Sequence, residues 1–151
     1  MKFYYIDDKS CKVFVNNIIA NINLKNKEEL EKFLKKIVKC IDNKFNYSIF
    51  GLFEVDIFVN EKVGMFIKFE KINSIISYRD IDLKVNIIYN CDFYFKTDFY
   101  ECLENNINVF YKDDFYYTNI DNIIDITKYI EYGEIIYDNK LNIERDFLRI
   151  K

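Results

Sequence analysis

The chain has 151 residues and a mass of 18.4 kDa, which is the size of one domain. Half its residues are apolar and 31% are charged, a balance that excludes collagen, coiled coil, a small disulfide scaffold and a disordered tail. The net charge is −3 and there is no histidine, so Ser-His-Asp and Cys-His nucleophile systems, His-bearing zinc sites and two-His iron sites are excluded as well.

Any chemistry would run on carboxylates, Cys, Lys, Tyr or a carboxylate-held metal. Ile, Lys, Asn, Phe and Tyr make up 90 of the 151 residues. All five have codons rich in A and T, so the abundance of Tyr or Asn reflects an AT-rich genome before it reflects function. The four cysteines, Cys11, Cys40, Cys91 and Cys102, form no Cys-x-x-Cys pair and read as buried thiols in a reducing compartment. The first residues meet Asp7-Asp8 at once, unlike a secretory signal. No apolar run approaches the roughly 20 residues that span a bilayer. The expected location is cytoplasmic, with no membrane partner.

In chain order, residues 2–6 and 11–15 predict two strands around the turn 7–10. A third strand is expected over 18–24. Residues 27–43 predict one long amphipathic helix. Leu30, Phe33, Leu34, Ile37, Val38 and Ile41 fall on one face at the 3.6 period. Asn26 is the expected N-cap, with Glu29 as its capping-box partner. Glu28, Glu29 and Glu31 come early and Lys35, Lys36 and Lys39 late, as the helix dipole favours. Residues 53–59 and 63–69 alternate with period 2 and predict a hairpin whose inner face the helix covers.

Residues 71–80 read as a connector. Leu83, Val85, Ile87 and Tyr89 predict another strand, and a short one is expected near 93–95. Thr97 or Asp98 is expected to cap a short helix. Residues 109–111 and 115–118 predict a hairpin around Lys112-Asp113-Asp114. Residues 123–132 predict a helix stopped by Gly133 in a left-handed C-cap. A terminal helix is expected to align Ile143, Phe147 and Ile150. The expected fold class is α+β: mostly antiparallel β hairpins packed with one long amphipathic helix and one or two shorter C-terminal helices. It would be one domain over 1–151, divisible into two sub-lobes at the 71–80 connector.

Three stretches carry candidate function. The first is Asp80-Ile81-Asp82, two carboxylates alternating on a strand, a pattern that can hold a divalent metal. It resembles the Asp-x-Asp strand of minimal nucleotidyltransferases. That resemblance implies metal-dependent nucleotide transfer by Asp80 and Asp82 with Asp125 as third carboxylate. The Gly-Ser pair of that family, about ten residues upstream, is replaced here by Lys68-Phe69-Glu70-Lys71-Ile72. Further on, Glu131-Tyr132-Gly133 with Asp138-Asn139 and Leu141 resembles the end of MecA-type adaptors. That resemblance implies a protein that hands substrates to a Clp unfoldase.

The second is the stripe Lys32, Lys35, Lys36 and Lys39 opposite the apolar helix face. It reads as a solvated face, because neighbouring Glu residues dilute its field and the helix carries no Arg. The third is the C-terminal half. Residues 98–146 hold twelve acids against four bases, and eight of the 13 Tyr lie in 94–137. Tyr suits interfaces because it offers large rigid area and a hydroxyl. The expected docking residues are Tyr111, Asp113, Asp114, Tyr116 and Tyr117.

The leading expectation is therefore a small non-enzymatic protein that docks on a partner with a basic surface. It would act as adaptor, regulator or inhibitor, for instance of a nucleic-acid-handling machine, without contacting nucleic acid itself. No metal or cofactor is expected. The alternative is an active or degenerate metal-dependent nucleotidyltransferase-like domain using Asp80 and Asp82.

Overall fold

A computed structural model describes residues 1–16, 22–72, 81–103, 106, 108–122 and 130–151. The chain divides into two compact units, residues 1–91 and residues 92–151. Among the described residues each unit has one five-stranded sheet. The class is α+β with one main helix.

In the first unit, β1 (Lys2–Asp7) and β2 (Ser10–Asn16) form an antiparallel hairpin. The Asp7 carboxylate accepts the Lys9 N–H and holds the turn. The long helix α1 spans Lys27–Phe45. Asn26 caps it, its side chain accepting the N–H groups of Glu28 and Glu29. Glu29 does not close a capping box on Asn26, whose own N–H already donates to the Asn23 carbonyl. Its carboxylate takes the Asn23 N–H instead, at 3.0 Å. Residues 22–25 are thus a turn tied to the helix start rather than the end of a strand; residues 18–21 of the expected 18–24 strand lie outside the described residues. The helix runs to Phe45 because Asn46 adopts the left-handed conformation and its N–H reaches back to Asp42.

The strands β3 (Gly51–Asn60) and β4 (Gly64–Lys71) pair antiparallel over the expected hairpin. The Asn60 side chain accepts the Lys62 N–H in the turn. Gly64 has φ +143, and a Cβ there would stand 2.1 Å from the Val15 carbonyl oxygen, so only glycine fits. β5 (Ile81–Ile88) lies parallel to β3, giving the order β1-β2-β4-β3-β5. Period 2 puts Val13, Val15, Val55, Ile57, Met65 and Ile67 on one face. The apolar side of α1 (Phe33, Leu34, Ile37, Val38, Ile41) buries that face. On the other face Asn86 donates to both Glu54 and Asp56.

In the second unit, β6 (Tyr94–Thr97) is central between β8 (Phe115–Asn119) and β9 (Gly133–Ile136). β7 (Phe110–Lys112) and β10 (Leu148–Arg149) complete the order β10-β7-β8-β6-β9, all antiparallel. The 109–118 hairpin forms as expected. Asp113 and Asp114 have φ 50 and φ 68, the two positive values that a two-residue type I′ turn requires. A single 3₁₀ turn, Tyr100–Leu103, follows Thr97.

Of the expected C-terminal helices, the terminal one is shorter than expected and most of the 123–132 one falls outside the described residues. Residues 123–129 lie outside the described residues, and Ile130–Tyr132 is one 3₁₀ turn. Gly133 is not a left-handed cap; it sits in β9, where a Cβ would stand 2.2 Å from the Lys96 carbonyl oxygen. The terminal helix is one turn, α2 (Ile143–Asp146), capped by Asn142. It stops because Phe147 turns extended and the chain end pairs with the edge of β7, Ile150 N–H donating to the Val109 carbonyl. Ile143 and Phe147 pack with Phe110 and Tyr117, while Ile150 is exposed.

Candidate protein-docking surface

Strand alternation sorts the expected docking residues. Tyr111 and Tyr116 are opposite each other across β7 and β8, on the sheet face that also carries Thr97 and Thr118. Their rings lie 5.2 Å apart, and Tyr116 meets the Tyr100 ring at 5.0 Å. The Tyr111 hydroxyl donates to the Asp114 carboxylate at 3.0 Å. That bond raises the Tyr111 pKa, because ionisation would set a phenolate against a carboxylate. Asp113 and Asp114 are exposed at the turn.

Tyr117 points the other way. It is only 7% exposed and its ring stands edge-on to Phe147 at 4.7 Å. Burial also raises its pKa. Tyr117 is a core side chain of the second unit, so the surface retains Tyr111, Asp113, Asp114 and Tyr116.

Three further aromatics extend that surface, and the sequence reading missed them. Tyr100 joins the stack just described. Phe99 and Tyr132 are 44% and 49% exposed, with ring centroids 5.5 Å apart. Thr97 positions both. It is fully buried, its hydroxyl donates to the Tyr132 carbonyl, and its oxygen accepts the Phe99 N–H at 3.0 Å. Its backbone pairs with Tyr116 on one side and Gly133 on the other. Thr97 thus sits between the two ring groups. The available signal was Thr97-x-Phe99, a Thr that caps the turn after a strand.

Acids outnumber bases around these rings. Asp98 adjoins Phe99, Glu101 adjoins Tyr100, Glu131 adjoins Tyr132, and Asp113-Asp114 lie between Tyr111 and Tyr116; all five acids are exposed. Rings of this unit already accept ammonium groups. Lys96 Nζ lies 4.1 Å from the Phe115 centroid, and Lys151 Nζ lies 5.4 Å from that of Tyr100. Exposed rings flanked by carboxylates suit lysine and arginine side chains.

Of the three nucleotidyltransferase-like carboxylates, only the Asp82 backbone is among the described residues. Asp80 and Asp125 lie outside them, and Asp82 stands in β5 with its Cα opposite Leu52. Lys68–Lys71, at the place of a phosphate-holding Gly-Ser turn, are extended residues of β4 paired with β3. No group of three or more Cys, Asp or Glu among the described residues could hold a metal ion. Among the described residues no helix is long and apolar enough to cross a membrane.

Of the adaptor-like stretch, Glu131 and Tyr132 form the 3₁₀ turn, Gly133 opens β9, and Leu141 is exposed. Comparison of the chain with protein-family models, curated proteins and solved structures finds no match.

Proposed function

We propose that the chain is a non-enzymatic cytoplasmic protein that docks on a partner protein with a basic surface, as adaptor, regulator or inhibitor. The docking element is the aromatic, acid-flanked face of residues 92–151. The observation that carries this reading is the pairing of two exposed rings, Phe99 and Tyr132, and three half-buried ones, Tyr100, Tyr111 and Tyr116, with exposed carboxylates around Thr97. Rings bury area at small entropic cost, and the acids select a cationic counterpart and steer its approach.

The test begins with affinity capture from the native cell and continues with the purified partner. Replacing Asp113-Asp114 by Asn-Gly removes two charges while supplying residues that favour the same turn. Association should slow, and the salt dependence of its rate should flatten. Tyr116→Ala should instead speed dissociation. A partner whose binding ignores salt, the Asn-Gly turn and Tyr116 alike removes this surface from consideration.

A further inference from the structure

The first unit carries a surface of opposite sign that the docking reading does not use. A groove of about 690 Å³ runs along α1 beside the start of the chain. Met1, Ile22 and Cys40 give it partly exposed apolar walls, over a floor that includes the buried Phe33. Among the described residues its cations are Lys32, Lys36 and Lys44, and its one acid is Glu29, already accepting the Asn23 N–H. The three lysines are exposed, and among the described residues none is in an ion pair.

We infer that this groove binds an extended, acidic segment of a protein partner, with carboxylates at alternate positions and one apolar side chain among them. The spacing carries the argument. Lys32, Lys36, Cys40 and Lys44 form one i, i+4 ridge of α1. Steps along such a ridge rise about 6 Å and the ridge is inclined about 26° to the axis, so neighbouring positions lie about 6.7 Å apart and the three lysines span about 20 Å along it. Alternate side chains of an extended strand lie about 6.6 Å apart on one face. An acidic residue therefore meets Lys32, the next but one meets Lys36, an apolar side chain meets Cys40, and a last acid meets Lys44. The two spacings agree to within about 1 Å over the whole ridge, and flexible lysine stems take up its curvature.

A nucleic acid fits less well. A continuous polyanion would bring a charge to the apolar gap at Cys40 and approach Glu28, Glu29 and Glu31 in the first turns. The helix also has no Arg for bidentate phosphate contacts.

The experiment titrates the full chain into a fluorescein-labelled octapeptide, Asp-Ser-Asp-Ser-Leu-Ser-Asp-Ser, and follows anisotropy at low salt. A peptide of the same composition with its three acids consecutive, and a labelled oligothymidylate, are run beside it. The expected result is saturable binding of the alternating peptide, several-fold weaker binding of the clustered one, and about tenfold loss in Lys32→Gln/Lys36→Gln. Both substitutions keep good helix formers on an exposed face, and circular dichroism checks that α1 persists. Absence of saturable binding, equal affinity for the clustered peptide, or indifference to the double substitution overturns the inference. Tighter binding of oligothymidylate overturns it in favour of a nucleic-acid site. None of these outcomes touches the acidic surface of the second unit, whose own test is separate.

Discussion

Two buried groups make stability respond to alkaline pH. Cys11 is fully buried in the first unit, and burial pushes its thiol from 9.0 up to about 12. Tyr47, whose hydroxyl donates to the Asp7 carbonyl, is pushed from 10.0 up to about 12, chiefly by burial. In the unfolded chain both ionise near their ordinary values. Between those values and about 12 the native state holds protons that the unfolded state has released. Their contribution is therefore full below about pH 9 and is lost as pH rises toward 12. Urea midpoints should hold level from neutral pH to about 9 and fall above it, and Cys11→Ala should make the part of the fall that begins nearest 9 shallower. A midpoint that stays level to pH 11 would show that neither group is buried as described. The same burial orders thiol labelling in the native state. Cys40 and Cys102 are half-buried and should react before Cys11 and Cys91, and Cys102 should lag Cys40 because its thiol donates to the Phe99 carbonyl at 3.0 Å and burial raises its pKa.

At the scale of elements, α1 was legible because its pattern and its packing coincide. Phe33 and Ile37, placed on the apolar face by periodicity, are buried against the sheet. Truncating either to Ala should cost about 2–5 kcal/mol in denaturant unfolding. The 51–71 hairpin was legible for the same reason, since period 2 on both arms matched a sheet with one face buried. What sequence could not show was pairing at a distance. The parallel partnership of β5 with β3 has no local signal. The end of the chain has helix-like spacing at Ile143 and Phe147, yet the edge of β7 takes its backbone hydrogen bonds and leaves one helical turn. Tyr116 and Tyr117 illustrate the limit at the proposed docking surface: density in the sequence named both, but only the strand register separates a half-buried ring from a core one. The turn between them and Tyr111 offers a clean test of the element. Asp113→Asn/Asp114→Gly should leave the melting temperature equal or higher, because Gly at φ 68 adopts the left-handed conformation without the steric cost of a Cβ. A marked loss of stability would mean that the Tyr111–Asp114 hydrogen bond, not the turn conformation, holds the hairpin.

At the scale of the whole molecule, the small net charge conceals two surfaces of opposite sign. Residues 1–47 carry ten lysines against six acids, and residues 98–146 carry twelve acids against four bases. The lysines of the groove lie in the first unit and the acid-flanked rings in the second, with no residue common to both sets. If the two are separate binding surfaces, substitutions at each should act only on their own ligand. Lys32→Gln/Lys36→Gln should weaken the alternating acidic peptide and leave the basic partner's affinity within about 0.5 kcal/mol of the unmodified chain, as expected for sites without shared contacts. Asp113→Asn/Asp114→Gly should do the reverse. Combining all four changes should give each ligand the loss seen with its own pair and no more. Both interactions should weaken with salt, since each depends on charge at a solvent-exposed surface. A combined loss well beyond the sum would mean that the two surfaces answer to each other, and that one bound partner changes the chain's affinity for the second.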